Sequence, residues 1–102
     1  IISNNIMFDI DNNKIVFASN AITGNKIWET KLDIGKNDIF FDPLLINNQL
    51  IIPVSNGDLI KVNPYNGQII ETENLTSKID VSPIVINDKL IIISNGDLEV
   101  FN

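Results

Sequence analysis

Short apolar runs rich in Ile, Val and Leu recur along the chain, each closed by Asn, Asp, Gly or Pro. The middle of the sequence shows the pattern most fully. Phe40 to Ile46, Leu50 to Val54, Asp58 to Asn63 and Gln68 to Glu73 read as four successive strands. Asn47-Asn48, Asn56-Gly57 and Pro64-Tyr65-Asn66-Gly67 separate them at hairpin spacing, with Gly free to take positive φ. Several runs are apolar at nearly every position, which predicts sheets covered on both faces. No stretch long enough for a helix is free of Asn, Gly or Pro while keeping a 3.6-residue period.

The pattern repeats. Ile84-Val85-Ile86-Asn87-Asp88-Lys89-Leu90-Ile91 reproduces Leu44-Leu45-Ile46-Asn47-Asn48-Gln49-Leu50-Ile51. Ile1-Ile2-Ser3-Asn4-Asn5-Ile6-Met7-Phe8 is the same unit again, and Ser94-Asn95-Gly96-Asp97-Leu98 repeats Ser55-Asn56-Gly57-Asp58-Leu59. A period of about 40–45 residues built from short strands is the blade repeat of a β-propeller. The expected fold is therefore all-β: a partial propeller of antiparallel four-stranded blades, about two and a half in number. Residues 1–38 form an incomplete blade, 39–77 a complete one and 78–102 another incomplete one.

Three further expectations follow from the repeat. Propellers close with about 4–8 blades, so the chain is expected to be a piece of a longer protein or to close by assembling with its own copies. Strand C of the last unit, Asp97 to Phe101, has no strand D after it. Its open edge, beside the β-prone run Leu90 to Ile93, predicts self-association. Finally, strand B holds Ile51-Ile52-Pro53-Val54 in one copy but Ile91-Ile92-Ile93 in the other. An extra residue together with a Pro predicts a β-bulge at Pro53.

Ala18-Ser19-Asn20-Ala21-Ile22-Thr23-Gly24-Asn25-Lys26-Ile27-Trp28 resembles the tryptophan-docking motif of pyrroloquinoline-quinone-type propellers, A-x-D-x-x-T-G-x-x-x-W. Only Asn20 departs, standing where Asp is usual. The Asp42-Pro43 and Ser82-Pro83 strand starts also look like this family. The chemistry of the motif is legible by itself. Gly24 permits a left-handed turn, Asn20 and Thr23 can bond the turn's backbone, and Trp28 on strand D can wedge against the adjacent blade. The copy from Lys61 to Glu71 keeps Asn63 and Gly67 but has Lys61, Asn66 and Glu71 in place of Ala18, Thr23 and Trp28.

The resemblance implies one of three functions. BamB-type factors of the family are non-catalytic periplasmic lipoproteins that scaffold outer-membrane protein assembly. Quinoprotein dehydrogenases of the family hold a quinone and calcium and use an Asp base. A third class attaches the propeller to a kinase or receptor as a sensor. The scaffold reading is preferred, with a protein partner, a periplasmic outer-membrane location, and no catalytic, cofactor-binding or metal-binding residue expected. The dehydrogenases commonly carry a vicinal Cys pair, and the chain has neither Cys nor His.

Composition narrows the partner. With 7 Lys against 13 Asp and Glu, the net charge of −6 opposes binding to nucleic acid or to an anionic membrane surface. No apolar run approaches the length of a membrane span. Asp9-Ile10-Asp11-Asn12-Asn13 matches the first half of a calcium loop. Lys14 and Asn20 then stand where the loop needs Gly and Glu, so a polar hairpin turn is expected. Propeller topology places B–C turns and D-to-A crossovers on one face. Asp11 joins Asp33, Asp38, Asp42, Asp58, Asp80 and Asp97 there, diluted by Lys14, Lys36 and Lys78. That acidic rim reads either as a solvated face that aids solubility or, as the sharper idea, as a docking face for a basic or polar protein partner.

Overall fold

The computed structural model describes residues 1–75, 78–94 and 96–101. Among the described residues, eleven strands form three antiparallel sheets, each a simple meander. The first sheet holds β1 (Ile2–Ser3), β2 (Ile6–Ile10), β3 (Ile15–Asn20) and β4 (Lys26–Lys31). The second holds β5 (Leu44–Ile46), β6 (Gln49–Pro53), β7 (Asp58–Val62) and β8 (Ile69–Asn74). The third holds β9 (Ile84–Ile86), β10 (Lys89–Ser94) and β11 (Asp97–Phe101). We call these sheets the first, second and third blades.

Strand period explains why the repeat stacks its sheets. In β6, Leu50 and Ile52 face the first blade while Ile51 faces the third. One core cluster therefore joins Phe8, Val16, Ala18 and Trp28 to Leu50, Ile52, Ile60 and Val62 across the first seam. The other joins Ile46, Ile51 and Leu59 to Leu90 and Ile92 across the second. The middle blade is apolar on both faces because both are covered.

The tight A–B turns explain the Asn pairs. Asn4 and Asn5, Asn47 and Asn48, and Asn87 and Asp88 all have positive φ, between 49° and 63°. Two consecutive left-handed residues make the type I′ hairpin, which Asn and Asp tolerate better than other side chains. The abundance of Asn thus has a local conformational cause at five of these six positions, Asp88 filling the sixth.

Two expectations are corrected. Strand A of the second blade does not begin at Phe40. Only Leu44–Ile46 pairs continuously with β6, and Phe40 makes an isolated bridge to Val54. Between these pairings, Phe41, Asp42 and Pro43 face only Ile52 and Pro53, so the spare residue interrupts the outer segment.

The Pro53 bulge is also absent, because β6 runs in unbroken register with β7 through Pro53 and Leu59. The extra residue lengthens the B–C turn instead. Val54 N donates to Asp58 O at 2.8 Å and Gly57 N to Val54 O at 2.9 Å, closing a three-residue loop with Gly57 at φ 100°. In the third blade Ser94 pairs directly with Asp97, and the turn position Asn95 lies outside the described residues. Pro53 is accommodated because its peptide edge faces the interrupted segment, where its carbonyl accepts from Phe41 N at 2.9 Å.

The described bulges lie elsewhere. Register shifts between Ala18 and Ser19 against β4, and between Lys61 and Val62 against β8. Both occur at the matching place in the C–D hairpin, beside the docking motif and its degenerate copy.

Candidate functional site: the blade seams and the turn face

The C–D turn of the first blade is held from within. Asn20 Oδ1 accepts from Ile22 N at 2.9 Å and Thr23 N at 3.1 Å, and Gly24 N donates to Asn20 O at 2.7 Å. Thr23 Oγ1 accepts from Asn25 N at 3.3 Å, and Gly24 has φ 80°. The second blade repeats this turn with different side chains. Asn63 Oδ1 accepts from Tyr65 N at 2.8 Å, Gly67 N donates to Asn63 O at 2.9 Å, and Asn66 Oδ1 replaces the Thr23 hydroxyl as acceptor from Gln68 N at 2.9 Å.

Trp28 reaches across the first seam to this second turn. Its side chain is 9% exposed, and Nε1 donates to Pro64 O at 2.9 Å. Ala18, fully buried and paired with Trp28 in the sheet, leaves room beside the indole, and Phe8 lies at a ring-centroid distance of 6.2 Å. Gly67 closes against the ring. A Cβ on Gly67 would sit 2.5 Å from Trp28 Cε3 and 2.7 Å from Thr30 Oγ1. Thr30 Oγ1 itself donates to Gly67 O at 2.5 Å. Gly67 therefore serves two needs, a left-handed φ of 78° and a surface without a side chain. The second need could not be read from the turn signature alone, because it arises only when the two blades meet.

The second seam is built differently. Lys61 pairs with Glu71 in the sheet at the places of Ala18 and Trp28. Lys61 Nζ lies 3.0 Å from Glu71 Oε1 and 3.3 Å from Glu73 Oε1. The hydrogen bond to Glu71 is the main influence raising the Lys61 pKa above its ordinary value, with burial opposing and Glu73 assisting. A cleft of about 60 Å³ remains among Ile51, Leu59, Lys61, Glu73, Leu90 and Phe101.

On the opposite face, B–C turns and crossovers are tied together. Leu32 N donates to Lys14 O and Leu75 N to Gly57 O, both at 2.8 Å, at matching positions of the two blades. Lys14 takes the left-handed position of Gly57, with φ 63°. Its ammonium donates to Ile34 O at 3.0 Å and Gly35 O at 3.1 Å on the crossover. Ser55 holds both crossovers: its N–H donates to Ile39 O at 2.8 Å, its hydroxyl accepts from Ile39 N at 3.0 Å, and its carbonyl accepts from Ile79 N at 3.1 Å.

These bonds bring the aspartates to one face. Asp33, Asp38 and Asp42 lie along the first crossover, Asp80 on the second, and Asp58 and Asp97 beside the B–C turns. Asp33, Asp42, Asp80 and Asp97 are exposed. Asp58 is partly committed, accepting from Asn74 Nδ2 at 2.7 Å and Asn56 Nδ2 at 3.1 Å. Asp11 is committed to its own hairpin, accepting from Asn13 N at 2.9 Å and Ile15 N at 3.1 Å. The sequence indicated the acidic face but not the Ser55 clamp or the Lys14 cap, since both depend on contacts between distant segments.

Stacked four-stranded meanders with this seam define the chain as part of a β-propeller. It is BamB-like: the outer membrane protein assembly factor BamB of Moranella endobia (strain PCIT) is 26% identical over 99 residues, covering 96% of this chain and 25% of that protein. The crystal structure of BamB from Moraxella catarrhalis superposes with a TM-score of 0.79 at 24% identity, over 97% of this chain and 29% of that one. Quinohemoprotein alcohol dehydrogenase from Comamonas testosteroni gives 0.69 at 23% identity, over 94% and 16%. The computationally designed Ika8 protein gives 0.70 at 13%, over 99% and 31%, so the blade architecture is shared well beyond sequence likeness. No protein-family model matches the sequence. The chain spans about a quarter of the length of the BamB relative it matches.

Proposed function

We propose that the chain is part of a non-catalytic, BamB-type scaffold that binds protein partners in outer-membrane protein assembly, on the periplasmic side of that membrane. The observation that carries this reading is its likeness to BamB in both sequence and fold over nearly its whole length. The dehydrogenase likeness is one of fold.

Within this reading Ala18, Asn20, Thr23, Gly24 and Trp28 dock one blade on the next. The face bearing Asp33, Asp38, Asp42, Asp58, Asp80 and Asp97 receives a basic or polar partner through charge complementarity. Titration of the chain against purified periplasmic domains of the outer-membrane assembly machinery tests the proposal. Saturable binding supports it, and absence of binding at concentrations up to about 100 μM, in the weak non-obligate range, contradicts it.

A further inference from the structure

The turn face opposite the aspartates is uncharged around the first seam. The A–B and C–D turns of the first two blades, residues 3–6, 20–25, 46–49 and 63–68, contain no Asp, Glu or Lys. Between these turns the seam opens into a pocket of about 80 Å³. Ile6 and Phe8 of β2 line one side, and Leu45 of β5 and Pro64 the other. Phe8 and Pro64 are buried, and Ile6 and Leu45 pack against the core cluster that joins the two blades. The pocket is thus the outer end of an apolar interface, and no charged side chain among the described residues lines it. Every residue around it belongs to the first two blades, and the turns that frame it are all described.

Two hydrogen bonds fix its walls. Trp28 Nε1 holds the Pro64 carbonyl at 2.9 Å. Tyr65, 66% exposed, donates from its hydroxyl to Asn48 Oδ1 at 2.9 Å, while its backbone N–H is held by Asn63 Oδ1 at 2.8 Å. The ring is therefore tethered at both ends beside the pocket, and a preorganised aromatic wall loses little freedom when something packs on it. With Asn48 Oδ1 occupied, Asn48 Nδ2 is the group left to donate at the mouth. Blade geometry alone does not dictate this chemistry. At the second seam, Asn47, Gln49 and Ile51 stand at the places of Asn4, Ile6 and Phe8, and the cleft they line takes in Lys61 and Glu73.

We infer that the first-seam pocket takes one branched aliphatic side chain from an uncharged segment of a protein partner. An apolar cavity of roughly 150 Å³ holds benzene, so a space near half that size suits a Val- to Leu-sized group. A Lys or Glu side chain would give up its hydration here without gaining a partner charge. Aliphatic carbon instead extends the packing that Phe8 and Leu45 begin. Asn48 Nδ2 can meet a backbone carbonyl of the same segment. This adds a second docking point to the scaffold reading, at the end of the blades away from the aspartates and with the opposite preference for charge.

Nuclear magnetic resonance titration of the isotope-labelled 102-residue chain tests it. The probes are N-acetyl-leucinamide, N-acetyl-lysinamide and methyl glucoside. The leucine compound should shift the Ile6 and Leu45 methyl signals and the Tyr65 ring signals, saturating with a dissociation constant on the order of 1–10 mM. The lysine compound should bind at least about tenfold more weakly. Tyr65→Ala removes an exposed wall, and Ile6→Gln installs the residue that the second blade carries there. Each should weaken leucinamide binding about fivefold or more while the remaining backbone signals stay in place. The variant with Asp33→Lys, Asp42→Lys and Asp80→Lys should bind it as wild type does, so failure here and failure of the acidic docking face are separate results. No saturable shift at these residues up to about 50 mM would overturn the inference. So would equal binding of the leucine and lysine compounds, preference for the glucoside, or affinity that neither pocket variant changes.

Discussion

The ring of Trp28 lies so close to Gly67 of the next blade that no side chain fits between them. The same turn supplies the Pro64 carbonyl that accepts the indole N–H. Trp28→Ala should therefore cost about 3–5 kcal/mol through lost burial and the cavity left behind. Gly67→Ala should destabilise through two routes, left-handed strain and displacement of the ring. Denaturant melts of both single variants and the double variant check this. The double variant should be less destabilised than the sum, because the clash with the ring disappears once the ring is gone, while that with Thr30 Oγ1 stays.

At the second seam, the Lys61 pKa is raised chiefly by its hydrogen bond to Glu71. A raised lysine contributes its stabilisation in full below its ordinary value of 10.5, and loses it as pH climbs through the higher folded value. Wild-type stability should accordingly fall above about pH 10.5, and Lys61→Met should show a shallower fall, in thermal melts across that range.

Strand content was legible because the repeat is carried by local signals: Asn pairs for type I′ turns, Gly at left-handed positions, and apolar runs between them. The acidic face was legible too, since topology assigns crossovers and B–C turns to one side. What escaped was the placement of single residues where two segments compete. The extra residue beside Pro53 could enter strand or turn. Gly57 can close the longer loop, and the turn took it. Likewise the start of strand A at Leu44 rather than Phe40 depends on how the crossover meets Ser55 and Pro53, which no local pattern records.

Ser55 links the crossovers on both sides of the second blade. Ser55→Ala keeps the two backbone bonds but removes the hydroxyl that accepts from Ile39 N. A loss of about 0.5–1.5 kcal/mol is expected, together with faster amide exchange at Ile39, measured by hydrogen–deuterium exchange.

The Asp9-to-Asn13 segment should not take up calcium, because Asp11 already accepts two backbone N–H groups and Lys14 places its ammonium on the adjoining crossover. Calorimetric titration with calcium and with pyrroloquinoline quinone is expected to give no heat of binding. Micromolar binding of either would reopen the dehydrogenase reading.

The docking step of the scaffold reading turns on the aspartates of the turn face. Asp33→Lys, Asp42→Lys and Asp80→Lys change exposed positions on crossovers, so the folded blades should tolerate them. The deciding measurement is the affinity of this triple variant and of wild type for purified periplasmic domains of the outer-membrane assembly machinery, at low and high salt. The account predicts wild-type binding that weakens with salt, and a triple variant weaker by about tenfold or more at low salt. Equal affinities for the two proteins, independent of salt, would contradict it.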